Sequence, residues 1–145
     1  MKKLISAALI GFFAAGTVAM AETDDQVLLS LGSAKASSAL SIDISSTGQT
    51  SAFSFVVPLP AGVKADTSAC LSKLPKDFKG GCKFVDGEIR VIAFSEKLGA
   101  LPAGVNQVGI VRLSGLKDAS GLKAYQVELS NNQGQAISSK SMTVQ

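Results

Sequence analysis

Apolar residues recur at every second position along much of this chain. Val27, Leu29 and Leu31 form one alternating run. Leu40, Ile42 and Ile44 alternate with Ser41, Asp43 and Ser45 in a second, and Phe53, Phe55 and Val57 share one face of a third, which Pro58 and Pro60 end. A period of two sends successive side chains to opposite faces, so each run predicts a strand with one buried face. Further on, Lys83-Phe84-Val85 and Glu88 to Phe94 flank Asp86-Gly87, a dipeptide suited to a tight primed turn, which predicts a hairpin. Val108 to Leu113 reads as another strand, followed by the alternating set Tyr125, Val127 and Leu129. After the Asn131-Asn132-Gln133-Gly134 turn, Ala136 to Val144 reads as a final polar edge strand. Residues 64–82 are less regular, with room for a short helical turn. No amphipathic helix of three turns is visible. Eight or nine short strands with frequent turns predict an all-β chain, a single two-sheet sandwich or jelly roll.

One pentapeptide occurs twice. Leu59-Pro60-Ala61-Gly62-Val63 returns as Leu101-Pro102-Ala103-Gly104-Val105, each after an Ala-Phe-Ser. Pro followed two residues later by Gly suits a type I turn. Because the surrounding residues differ, the repeat reads as shared turn chemistry at two strand ends rather than as paired loops of one site.

The first 21 residues break the alternating pattern. Lys2 and Lys3 precede an uncharged, mostly apolar stretch from Leu4 to Val18, and Ala19-Met20-Ala21 supplies a small-x-small cleavage pattern ahead of Glu22, Asp24 and Asp25. This order is that of a cleavable secretory signal peptide of bacterial type. An apolar run of about 15 residues is short for a bilayer span. The expected organisation is therefore a signal peptide over 1–21 and one domain over 22–145, exported to the periplasm or outside the cell, with no membrane span in the mature chain.

Removing the leader changes the charge. The full chain carries 14 basic and 11 acidic residues. Losing Lys2 and Lys3 leaves near balance, and the remaining lysines are scattered, so no nucleic-acid partner is expected. Composition also narrows the chemistry. His and Trp are absent, and Tyr125 is the one Tyr. Without His the commonest general base and the commonest metal ligand are missing. Ser72-Lys73 and Ser139-Lys140 are adjacent pairs, but neighbours on a strand point to opposite faces. Asp43, Asp66, Asp77 and Asp118 stand singly, without a calcium-loop spacing. The expectation is a non-catalytic protein without cofactor or metal. Cys70 and Cys82 are the only cysteines, and an even count in an exported chain predicts one disulfide, here closing a loop of about a dozen residues.

Between those cysteines lie Lys73, Lys76, Phe78 and Lys79. A basic loop stapled at its ends and carrying one aromatic is a candidate partner contact, with Phe78 flanked by Lys76-Asp77 and Lys79 as the exposed ring. Phe53, Phe55, Phe84, Phe94 and Tyr125 are assigned to the core by their alternating settings.

Three segments, in order, resemble a known family. Ser51 to Val63 resembles the Phe-rich core strand of cohesin domains, Asp86 to Ser95 their Gly-x-Ile-Arg-Val-type hairpin strand, and Val127 to Ile137 their closing strand and Asx/Gly turn. The resemblance spans most of residues 26–144, while the 70–82 cysteine loop lies outside it. It implies a nine-stranded jelly roll in the superfamily that also holds bacterial carbohydrate-binding modules. It further implies a binding role, with a protein partner held on a sheet face, or, as the alternative, a polysaccharide.

Overall fold

A computed structural model describes residues 25–34, 37–117 and 121–141. The predicted leader, the acidic residues Glu22 and Asp24, and Asp118 lie outside these residues. The described chain forms ten strands: β1 (Asp25–Ala34), β2 (Ser37–Ser46), β3 (Ala52–Pro58), β4 (Lys64–Asp66), β5 (Phe78–Val85), β6 (Glu88–Ser95), β7 (Gly104–Ser114), β8 (Tyr125–Ser130), β9 (Ala136–Ile137) and β10 (Ser139–Ser141). They pair as two five-stranded sheets, in the orders β10-β1-β2-β7-β4 and β5-β6-β3-β8-β9. Every pair is antiparallel except β1 with β10. Over 136–141 two short strands divide what the sequence presents as one, and residues 142–144 of that expected strand lie outside the described residues. β9 closes the second sheet and β10 crosses to the first, so this segment ties the two layers together.

The alternation of apolar residues sets the inner faces. Val27, Leu29, Leu40, Ile42, Ile44, Val111 and Leu113 of the first sheet meet Phe53, Phe55, Val57, Ile89, Val91 and Leu129 of the second, all buried. Phe53 and Phe55 stack with centroids 6.2 Å apart. At full burial each such side chain contributes on the order of 2 kcal/mol, which is why both sheets keep one continuous apolar face.

The irregular stretch between β4 and β5 is built of turns. Cys70 N donates to Thr67 O at 3.1 Å, Ser72 N to Ala69 O at 3.3 Å and Leu74 N to Leu71 O at 3.3 Å. It runs along the edge of β7 beyond β4, where Ile110 N donates to Ala69 O at 3.0 Å and Lys73 N to Val108 O at 2.9 Å. Gly109 makes this approach possible, since a Cβ there would overlap the Cys70 carbonyl. The predicted Cys70–Cys82 disulfide is present. It fastens this stretch, seated on the first sheet, to β5 of the second.

Three aromatic assignments are corrected. Phe78 is only 6% exposed and belongs to the core, whereas Phe94 and Tyr125 are each 47% exposed. β5 begins at Phe78, so this residue shares the inward face with Cys82 and Phe84 while its lysine neighbours point out. On β6, Ile89, Val91 and Ala93 face in and Arg90, Ile92 and Phe94 face out; with apolar residues on both faces, the pattern alone did not fix the phase. On β8 the alternation is broken by a bulge. Ser54 pairs with Glu128 but Val56 with Tyr125, and Gln126 takes a positive φ of 53°. One extra residue turns Tyr125 to the opposite face from Leu129.

Candidate functional site

The two pentapeptide turns lie at opposite ends of the sandwich. Leu59 N donates to Gly87 O at 2.9 Å beside the β5–β6 hairpin, while Leu101 N donates to Thr50 O at 2.8 Å at the other end of β3. They form no common site.

The outer face of the second sheet is different in character. Pairing register lays it out in rows, with Lys79, Phe94, Ala52 and Ser130 in one, Gly81, Ile92, Ser54 and Glu128 in the next, and Lys83, Arg90, Val56 and Tyr125 in a third. Successive rows are about 7 Å apart. Ile92 is 58% exposed, and with Phe94, Tyr125 and Val85 it gives this one face four of the six large apolar side chains that stand exposed among the described residues. An open groove of about 590 Å³ follows Ala52, Ser54, Ile92, Phe94, Ser130 and Ala136. A second, of about 510 Å³, continues over Val56, Gly81, Lys83, Arg90, Ile92 and Gln126. Grouped apolar exposure of this kind, rimmed by polar residues, marks interaction surfaces.

Charge on the face is separated by strand, with lysines on β5 and an acid on β8. Lys79, Lys83 and Arg90 are exposed on β5 and β6. Arg90 is paired with Glu88 at 2.9 Å, leaving the two lysines as the surplus. Glu128 stands across the sheet on β8, opposite Ser54. Lys123 Nζ lies 5.5 Å from the centroid of Tyr125, over one side of its ring.

Of the four residues singled out between the cysteines, the structure exposes Lys73, Lys76 and Lys79 and buries Phe78. Lys79 belongs to the outer face; Lys73 and Lys76 belong to the turn stretch along β7. Sequence reasoning missed Ile92, Phe94 and Tyr125 as surface groups. The one signal for the first two was the apolar character of both faces of β6.

Ser72 Oγ donates to Ala69 O at 2.9 Å and serves its turn. Ser114 and Lys117, at Ser-x-x-Lys spacing, are both exposed. Among the described residues no three potential ligands cluster as a metal site. Burial pushes the Asp43 carboxyl up, partly offset by a hydrogen bond from Ser41. Asp66 is held down, chiefly by the Ser68 backbone N–H. Both carboxylates belong to the first sheet, on β2 and β4. No described helix is long and apolar enough to cross a membrane.

No protein-family model and no curated protein sequence matches the chain. Solved structures do. A non-cellulosomal cohesin from the hyperthermophilic archaeon Archaeoglobus fulgidus superposes with a TM-score of 0.62 at 8% identity, over 84% of this chain and 91% of the cohesin. The sixth cohesin of scaffoldin B from Acetivibrio cellulolyticus, solved in complex with a dockerin, gives 0.58 at 15% identity over 84% and 93%. A type II cohesin from Bacteroides cellulosolvens gives 0.56 at 14% identity over 83% and 99%. The chain is a cohesin-like domain in fold, a jelly-roll sandwich spanning nearly the whole of each of these structures.

Proposed function

We propose that this protein is an exported binding module that holds a protein partner on the outer face of its second sheet. The observation that carries the reading is the grouping of Ile92, Phe94, Tyr125 and Val85 on one face, above a groove and beside a polar rim. Apolar centres ringed by polar residues are the usual anatomy of a protein interface. Cohesins of this fold have been solved with dockerins bound, which supports a protein as the partner class. Export follows from the leader over 1–21, and the Cys70–Cys82 bond accords with an oxidising compartment. Residues 22–145 then form the working domain, without catalytic residues or cofactor.

A second reading, polysaccharide binding, gains from the exposed rings of Phe94 and Tyr125. Their partners Ala52 and Val56 are four residues apart on β3, about 13 Å along the strand. Sugar stacking needs open ring faces, and Lys123 occupies one side of Tyr125, so the protein reading is favoured.

Cross-linking the exported protein to its neighbours in the envelope, followed by mass spectrometry, tests this. Cross-links should concentrate around residues 79–94 and disappear with Ile92→Asp, a surface change that leaves thermal unfolding in place. Cross-links centred on the first sheet would reject the face. Retention on insoluble polysaccharide, lost in Phe94→Ala and Tyr125→Ala, would transfer the function to the glycan reading.

A further inference from the structure

β5 contains two adjacent glycines that differ in kind. Gly80 faces inward and is required by the fold: a Cβ there would overlap the Ile92 carbonyl oxygen and come within 2.7 Å of Ala93 Cα. Gly81 faces outward, its φ lies outside the left-handed region, and a Cβ there would meet nothing within 4 Å. Glycine inside a strand weakens it through backbone entropy and lost cross-strand contact. Neither backbone conformation nor packing within the chain calls for glycine at 81. Its effect is to leave Ile92, its cross-strand partner, uncovered. A gap in a strand surface of this kind suits close approach by another molecule.

The surroundings of the gap say what approaches. Lys79 and Lys83 stand two residues before and after Gly81 on the same face, about 7 Å away along the strand on either side. Both are exposed, and Arg90, opposite Lys83, is already paired with Glu88. Glu128, the acid of the same row, is separated from Gly81 by Ile92 and Ser54. The floor is apolar, the flanks are cationic and the acid of the row lies two strands beyond Ile92.

We infer that Gly81 is a slot for an acidic side chain of the partner protein, seated beside Ile92 and held between Lys79 and Lys83. The inference rests on the outer face being the binding surface and adds the chemistry of what it binds. The partner presents an Asp or Glu next to apolar residues, and Gly81 is a specificity-determining position. Charges arranged this way steer and orient association more than they strengthen it, and they are screened by salt.

The test is to pan a displayed library of random peptides against the exported protein and measure affinities of synthetic versions of the binders. Binders should carry Asp or Glu beside apolar residues. Their affinity should fall at least tenfold with Gly81→Val, with Lys79→Glu/Lys83→Glu, and when the peptide's acid is changed to its amide, and it should fall with added salt. Lys64→Glu on β4 is the remote control. Gly81→Val should unfold at the wild-type temperature or above, because valine favours strands and the site is open; the double lysine variant probes the slot independently of that substitution. Binders lost with Ile92→Asp but indifferent to Gly81→Val and to the acid-to-amide change would overturn the slot and leave the face standing. Failure to recover any binder sensitive to Ile92→Asp would overturn both.

Discussion

Asp25 shows how much one side chain can fasten in a sandwich. It is fully buried at the start of β1, and its carboxylate accepts hydrogen bonds from Thr47 N at 2.9 Å, from Ser46 Oγ at 3.3 Å and from Thr50 Oγ1. Those donors lie in the β2–β3 turn region, so the group pins the first strand to the connection between the sheets. Asp25→Ala would leave buried donors without an acceptor and should cost on the order of 3 kcal/mol, read as a lower midpoint in chemical denaturation. Asp43 makes the opposite case. Burial raises its pKa in the folded chain, so the ionised form is disfavoured there relative to the unfolded chain. The contribution of Asp43 to stability is then greatest below the ordinary carboxylate range and falls as pH rises from that range through the raised value. Asp43→Asn should be the more stable protein at neutral pH, with the advantage fading on acidification; thermal melts across that range check the sign. A third small network holds the loop after β6. Ser95 Oγ donates to Asp77 Oδ2 at 2.6 Å and accepts from Gly99 N at 2.9 Å, setting the turn in which Leu98 takes a φ of 58°.

At the level of elements, the disulfide and the bulges decide what the strands present. Cys70–Cys82 joins the turn stretch on the β7 edge to β5, the outermost strand of the second sheet. Without it β5 is held by β6 alone among the strand pairs. Cys70→Ser/Cys82→Ser should lower stability by about 3 kcal/mol, from the loop of 12 residues it closes. Hydrogen exchange should show the loss concentrated in residues 67–85 if the bond braces this edge, and spread evenly if it does not. The bulge at Gln126 turns Tyr125 outward onto the candidate face. A second irregularity, between Ile42 and Asp43 where β2 meets β7, accompanies the exposure of Val105 at the start of β7. Bulges redirect side chains without changing strand order.

At the scale of the whole molecule, the proposal of an exported module predicts a specific mature terminus. Intact mass measurement on the protein recovered from the envelope or medium should give a chain starting at Glu22, with two thiol hydrogens lost to the disulfide; retention of residues 1–21 would reject export by cleavage. The sandwich itself was largely legible from the chain. Period-two alternation from Val27 to Val57 fixed strands and inward faces, because one buried face per strand is a local property of sequence. Asp86-Gly87 fixed the hairpin, since a primed turn is set by two residues, and the even cysteine count indicated the disulfide. The site was not legible in the same way. Which face of β6 turns inward depends on what packs opposite it, because Ile92 and Phe94 are as apolar as Val91 and Ala93. The outward turn of Tyr125 depends on a bulge settled by pairing with β3, and the burial of Phe78 on where β5 begins. Gly81 reads like any other strand glycine until its cross-strand partner and the empty space above it are known. Local spacing can encode alternation, but only the assembled sheets decide which side of each strand meets water.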